Sequence, residues 1–285
     1  MKNSSIEWCD HTWNPWIGCT KVSPGCANCY AETLMDKRYH KVQWGKGKDR
    51  QLTSEAYWRQ PLKWNKQAKA FPYGCNRCKT RVADPDTLGM PWACECGGTF
   101  SVERPRVFCA SLADVFDQDV PDLWRMDLFE LISACPNLDW LILTKRPYEA
   151  NIFSFGFLDG WPWKHVWLGV SVENQEQADK RIPILLQIPA KVKFLSCEPL
   201  LGPIAFKKVP GFNRIGLDLS NWWVIVGGES GHGARPMHPD WARSIRDQCL
   251  AARVPFFMKQ MDKKTPIPED LFIRQFPHTD RMVAK

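Results

Sequence analysis

Six short, continuously apolar segments recur through the last two thirds of the chain, and they constrain its fold more than any other feature. They read "RVFCAS" (106–111), "DWLILT" (139–144), "HVWLGVS" (165–171), "KVKFLS" (191–196), "WWVIVGG" (222–228) and "VPFFMKQ" (254–260). A strand with one wet face alternates apolar and polar residues. A strand covered on both faces reads as an unbroken apolar run, as in parallel sheets. Helical patterns fall between several of the runs. Asp122 can cap a helix that places Trp124, Leu128, Leu131, Ile132 and Cys135 on one face, with Pro136 after its end. Asp240 opens a segment in which Trp241, Ile245, Cys249 and Ala252 share a stripe. Residues 174–187 form a third candidate, bent or shortened by Pro183. Strand–helix alternation of this kind predicts an α/β fold with parallel strands, either an open sheet or a full or partial barrel.

The residues just beyond each strand favour the partial barrel, because in barrels the chemistry collects at the carboxyl ends of the strands. Those ends carry Ser111 and Asp114; Thr144, Lys145 and Arg146; Ser171, Glu173 and Asn174; Cys197 and Glu198; Gly227, Gly228, Glu229 and Ser230; and Lys259 with Gln260. Polar residues also cap helices at any strand-to-helix turn, which is the competing reading for each one alone. Together, six sets converging on one face would build a charged cup.

The apolar runs fall far short of the roughly 20 residues that a membrane span needs. The first residues, "MKNSSIEWCDH", lack the apolar core of a signal peptide. These features lead us to expect a cytoplasmic protein with no membrane partner. In a reducing compartment the chain's 12 cysteines point to metal or catalysis rather than disulfides. The formal charge of +7 permits an anionic partner without requiring one. Trp13, Trp16, Trp44, Trp58 and Trp64, set in polar sequence, can either stack bases or pack in the core.

The expected organisation has four parts: 1–70 as the first part of the barrel, 71–103 as an insertion, 104–262 as the remaining strand–helix units, and 263–285 as a proline-bearing tail over the surface. In the insertion, Cys75-x₂-Cys78 is followed after fifteen residues by Cys94-x-Cys96 and a Gly-Gly pair. Four thiolates on two hairpins suit tetrahedral structural zinc, here in a zinc-ribbon-like module, although the second arm is tighter than usual. Arg77, Lys79 and Arg81 could present this module to a phosphate backbone. The opening stretch "TWNPWIGCTKVSPGCANCYAE" (12–32) is different, since it offers Cys19-x₆-Cys26-x₂-Cys29 and no fourth cysteine at matching spacing. Three thiolates on a 4Fe-4S cluster leave one iron open, whereas electron-transfer clusters take four cysteines. A zinc site completed by His11 or Cys9 is the other reading of the same spacing.

The opening stretch, "DWLILTKRP", "WLGVSVENQEQADKRIPILLQ", "FLSCEPLLGPI", "WVIVGGESGHGARPMHPDWARSIRDQC" and "VPFFMKQ" together resemble a phage-associated three-cysteine-motif family grouped with the radical S-adenosylmethionine superfamily. The resemblance spans nearly the whole chain apart from the insertion and tail, and it implies the cytoplasm of a bacterial or phage-infected cell. It implies a partial (β/α)6 barrel of radical-SAM type with a 4Fe-4S cluster on Cys19, Cys26 and Cys29. It further implies that the open iron chelates S-adenosylmethionine, which one electron cleaves to methionine and a 5′-deoxyadenosyl radical. The chain departs from the superfamily pattern in two ways. The first cysteine gap has six residues instead of three, and Gly227-Gly228-Glu229 lies far beyond the second strand, where the methionine-binding Gly-Gly-Glu usually stands. Either Ser111 or Asp114 then takes over the amino contact, or the iron binds something else.

The expectation is therefore an enzyme acting on a nucleic-acid base or nucleotide, served by an electron donor. Glu198, Glu229 and Lys145 would take catalytic or substrate contacts, while Ser111, Asp114, Asn174, Gly227 and Gly228 would bind the cofactor. Arg146 and Lys259 would meet anionic groups. The alternatives are a non-catalytic iron–sulfur or zinc protein that binds nucleic acid, or a partner protein whose cluster senses redox state.

Overall fold

A computed structural model of the chain describes residues 4–75, 77, 78, 80–156, 161, 163–212, 218–231, 233–262 and 265–277. Lys79 and two parts of the tail, 263–264 and 278–285, lie outside the described residues. Each of the six apolar runs forms a strand: β2 Arg106–Cys109, β3 Asp139–Thr144, β4 Val166–Ser171, β5 Val192–Cys197, β6 Trp222–Gly227 and β7 Phe256–Gln260. A seventh, β1 His11–Trp13, has only three residues and joins at the edge of β2. All seven are parallel and lie side by side in chain order.

Sequential order has a consequence. Parallel crossovers are right-handed, so strands that always step the same way put every connecting segment on one face. The sheet must then cover its other face by curling. Helices α1 Gln60–Ala70, α2 Asp122–Ser133, α3 Pro147–Gly156, α4 Gln175–Gln187 and α5 Pro239–Ala252 supply the outer layer. Pro183 does not stop α4, which runs on to Gln187. Between β5 and β6 the described residues hold only a single 3-10 turn, Phe206–Lys208.

The pleat then explains the unbroken apolar runs. Val107, Trp140, Ile142, Leu168, Leu195 and Val224 point outward into the core shared with the helices. Their neighbours Phe108, Leu141, Trp167, Phe194, Trp223 and Ile225 point inward and form a second core. Trp8 plugs that inner core, with its ring centroid 4.5 Å from Phe108 on β2 and 6.3 Å from Trp223 on β6. In a flat sheet those strands would stand about 19 Å apart, at about 4.8 Å per step. One indole touches both only because the sheet is rolled into a half-barrel.

The stretch 71–103 folds apart from this sheet as a three-stranded antiparallel unit of Tyr73–Cys75, Arg81–Val82 and Phe100–Val102. The tail does not simply cross the surface. Ile273 and Gln275 hydrogen-bond the open edge of β7, and Phe276 packs 5.4 Å from Trp223. Covering the edge removes a row of unpaired backbone groups. No helix among the described residues is long and apolar enough to cross a membrane.

Candidate metal centre and cavity

The inner core stops at mid-height. Along β4 the inward positions run Trp167, Gly169, Ser171, and along β5 they run Val192, Phe194, Ser196, so the rings give way to hydroxyls toward the carboxyl ends. Above them opens a cavity of about 760 Å³, floored by Trp8, Phe108, Leu143, Ser171 and Ser196. Its roof is the loop that carries Cys19, Cys26 and Cys29, and all three line it.

Four buried anchors hold that loop. Gly18 has φ +112°, a conformation open to glycine, and a Cβ there would meet Arg50 Cδ at 3.0 Å. The Arg50 guanidinium, with no exposed surface, donates to Asp117 Oδ2 at 2.7 Å, Asp119 Oδ2 at 2.9 Å and Thr20 Oγ1 at 2.7 Å. Arg146 donates to the Thr20 carbonyl at 2.7 Å and to the Cys19 sulfur at 3.6 Å, and it forms an ion pair with Asp114 at 3.1 Å. On the opposite wall the Gly25 N–H donates to Glu173 Oε1 at 3.0 Å, while Glu173 Oε2 accepts from Arg181 at 2.8 Å. Asn28, between the last two cysteines, donates to Glu229 Oε2 at 2.9 Å. Glu229 in turn accepts the Arg235 N–H at 2.8 Å and its Nε–H at 3.1 Å.

The electrostatics derive from burial and these contacts. Burial, followed by the charge of Asp114, pushes the Cys19 thiol up to about 12, with Arg146 pulling against them. A proton leaves that sulfur readily only when a cationic centre replaces it. Burial also opposes ionisation of Glu173, but Arg181 and the Gly25 N–H outweigh it and hold the carboxyl below its usual range. Glu229 is likewise held low against burial by Arg235 and Asn28.

Of the residues singled out from sequence, Ser111, Asp114, Lys145, Arg146, Glu198, Gly228, Glu229 and Lys259 line the cavity. Asn174 and Gly227 do not. The Asn174 side chain caps α4 by accepting the Gln177 N–H at 3.0 Å. Gly227 lies at an irregularity between β6 and β7, where a Cβ would stand 3.4 Å from Glu198. Gly228 faces the cavity, but a Cβ would fall 1.9 Å from the Met261 carbonyl, so close packing of backbone requires glycine there. Asp114 is fully engaged, accepting from Thr144 Oγ1 at 2.7 Å and from the Lys145 N–H at 2.9 Å besides Arg146. Ser111 donates to Asn14 Oδ1 at 3.2 Å, and its carbonyl accepts from the Tyr30 hydroxyl. Glu198 and Lys259 form an ion pair on the cavity wall. Lys145 lines the cavity with no carboxylate within ion-pairing distance among the described residues, and its charge helps to hold Glu173 low.

Sequence reasoning passed over Arg50, Asn28, Asp117, Arg181 and Ser196. Asn28, Arg181 and Ser196 stand inside the quoted stretches and Arg50 and Asp117 outside them, but nothing local marks the role of any of the five. Asn28 meets Glu229 across 201 residues of chain and Arg50 meets Asp117 across 67, contacts that only the fold creates.

The four cysteines of the antiparallel unit are arranged differently. The Cys75–Cys96 and Cys78–Cys94 sulfurs lie 3.5 and 3.6 Å apart. Zinc–sulfur bonds of about 2.3 Å in a tetrahedron put sulfurs about 3.8 Å apart, so this set suits a single ion. The Thr80 hydroxyl, 3.2 Å from the Cys78 sulfur, and the Thr80 backbone draw that thiol down to about 6. Among the described residues these four are the only group of three or more Cys, His, Asp or Glu ligand atoms that all lie within 4.8 Å of one another. Cys19, Cys26 and Cys29 do not close that tightly, even with Cys9 or His11. The Cys9 thiol bonds Ser4 and the Ile6 carbonyl, and the His11 ring stacks on Trp64 at 4.1 Å. A single zinc shared by these residues does not fit the geometry.

A family model described as "Protein of unknown function (DUF5131)" matches residues 3–271. The chain belongs to this family. The match covers β1 to β7, both cysteine sets and every residue of the cavity wall. Comparisons with curated proteins and with solved structures returned no match.

Proposed function

We propose that this DUF5131 chain is an iron–sulfur enzyme of radical S-adenosylmethionine type that acts on a nucleic-acid base or nucleotide. One observation carries the reading. Three sulfurs from a single loop line one cavity at the carboxyl ends of a parallel half-barrel, spread more widely than one ion's ligand shell. Three thiolates around a 4Fe-4S cluster need that wider spread and leave one iron for a small molecule. When bound, such a cluster supplies a single electron and an open coordination position to a sulfonium ligand.

The chain's own residues would do the rest. Cys19, Cys26 and Cys29 would hold the cluster, and the Arg146 N–H on the Cys19 sulfur offsets its negative charge. The unpaired Lys145 ammonium offers a contact to a carboxylate. Asp114 and Glu229 both have each carboxylate oxygen engaged by protein donors, so neither keeps one free for an amino group. Glu198 and Lys259 present an acceptor and a donor side by side, a pattern that suits the polar edge of a base. Trp8, Phe108 and Leu143 exclude water from below. Cys75, Cys78, Cys94 and Cys96 would hold a structural zinc.

The test is metal and sulfide analysis of anaerobically purified protein, followed by reduction with dithionite in the presence of S-adenosylmethionine. The reading expects about four iron and about one zinc per chain. Substituting Cys19, Cys26 and Cys29 by Ala should remove the iron alone, and Cys75→Ser should remove the zinc alone. Formation of 5′-deoxyadenosine supports the enzyme. Iron-poor protein with zinc on the first three thiols overturns the reading, and iron without cleavage in the presence of nucleic acid favours the non-catalytic alternative.

A further inference from the structure

The excess positive charge of this protein is concentrated in one segment. Residues 33–82 hold 13 Lys and Arg against 3 acids, an excess larger than the net +7 of the whole chain. Between Glu55 and Asp84 no carboxylate occurs at all. The other outer helices mix their signs, as α4 does with Glu176, Asp179, Lys180 and Arg181, and α5 with Asp240, Arg243, Arg246 and Asp247. A solvated face selected only for solubility would look like those. Helix α1 does not.

The fold sets these charges in a line. At about 100° per residue, Lys63, Lys66 and Lys69 lie about 60° apart on α1, opposite the buried stripe of Pro61, Trp64 and Ala68. The helix comes after Tyr57, which lines the cavity, and is followed by Phe71, whose carbonyl accepts from Arg81 of the antiparallel unit at 3.0 Å. Arg38, Lys41, Lys46 and Lys48 are exposed around Trp44, a second cavity-lining residue beside this segment's Tyr57. Two aromatic rings stand among them at the surface. Tyr39 is 50% exposed, with the Arg38 guanidinium 5.5 Å and the Lys41 ammonium 5.9 Å from its centroid, and Phe71 is 44% exposed.

We infer that loop 37–48 and the exposed face of α1 form a track for single-stranded nucleic acid that leads into the cavity. Unopposed lysines at regular spacing match a phosphate backbone, and surface rings interleaved with cations give bases a stacking platform. A base has to leave its stack to enter a cavity of this kind, which a single strand permits without unpairing. The inference rests on the reading of the cavity as a site for a nucleic-acid base, but the track itself needs no cluster.

Fluorescence anisotropy with a labelled 20-mer of thymidylate tests it on the full chain as purified. With about six phosphates engaged, log K should fall with log salt at a slope of about −4, since each contact on a single strand contributes about −0.7. Substituting Lys63, Lys66 and Lys69 by Gln should flatten the slope by about 2, and substituting Arg38, Lys41 and Lys46 should flatten it similarly. Substituting Lys180 on α4 and Lys207 and Lys208 in the turn before β6, outside the track, should leave it unchanged. The same loss in all three variants, tighter binding to the 20-base-pair duplex or to phosphatidylglycerol vesicles, or no binding at about 50 mM salt would each overturn the inference. Iron content and turnover are read separately, so failure of the cluster reading leaves these slopes interpretable.

Discussion

Glu173→Gln isolates how the cysteine loop is held. Glu173 has no exposed surface and lies 2.8 Å from Arg181, whose side chain is 5% exposed. The substitution keeps an amide oxygen for the Gly25 N–H but leaves the Arg181 charge buried without its partner. Breaking a buried pair from one side costs about 3–5 kcal/mol. With a urea dependence of about 3 kcal/mol per molar, the unfolding midpoint of metal-free protein should drop by more than about 1 M. The double variant with Arg181→Met removes the stranded charge and should recover most of that loss, which a double-mutant cycle measures directly. The sign of the pH dependence comes from the depressed carboxyl. A group held below its ordinary value of 4.5 contributes stability that is complete above that value and is lost as pH falls through the native one. The gap between wild type and Glu173→Gln should therefore be full at about pH 7 and narrow below about pH 4.5. If the single variant lies within about 1 kcal/mol of wild type, or the double variant is no better than the single, the ion pair does not anchor this wall.

Two further substitutions probe the frame beneath the site. A Cβ on Gly169 would fall 2.4 Å from the Phe194 ring, so Gly169→Ala should lower stability by about 1–3 kcal/mol in urea unfolding, and adding Phe194→Leu should relieve it. Asp139 is pushed up to about 7 by burial, against the pull of Arg104 and Arg106. It stays protonated in the fold over a range where the unfolded chain ionises, so wild-type stability should fall as pH rises from about 4 to about 7 and then level off. Asp139→Asn should lack that fall, gaining up to about 4 kcal/mol on wild type by about pH 8, and parallel stability curves for the two proteins would refute the assignment.

Six of the seven sheet strands were legible because each is apolar on both faces, and the half-barrel gives both faces something to bury. β1 was not legible. Its His11 and Thr12 carry no apolar signal, and its place depends on pairing with Val107 and Phe108, far along the chain. The tail misled for a related reason. Its prolines mark irregular backbone, but Leu271 is buried in the outer core and the half-buried Phe276 packs on Phe257 of β7 and on Trp223, contacts with no local signature.

At the site, residue type and position told which side chains would gather, and only the fold told what each would touch. The strand-end rule brought Asp114, Lys145, Glu198 and Glu229 to one cavity with the three cysteines. It could not separate a residue that faces a ligand from one that fixes the wall, because both sit at the same place in the strand-to-helix turn. Asp114 and Lys145 make the point. Both come after strands and both line the cavity, yet one has its carboxylate enclosed by Thr144, Arg146 and two backbone N–H groups while the other leaves an ammonium open. The pair Gly227-Gly228 shows the opposite limit. Its likeness to a ligand-binding motif is strong as text, but a Met261 carbonyl 1.9 Å from where a Cβ would stand accounts for Gly228 without any ligand. A motif out of its usual place is therefore weighed by what its atoms meet, and here they meet the neighbouring backbone.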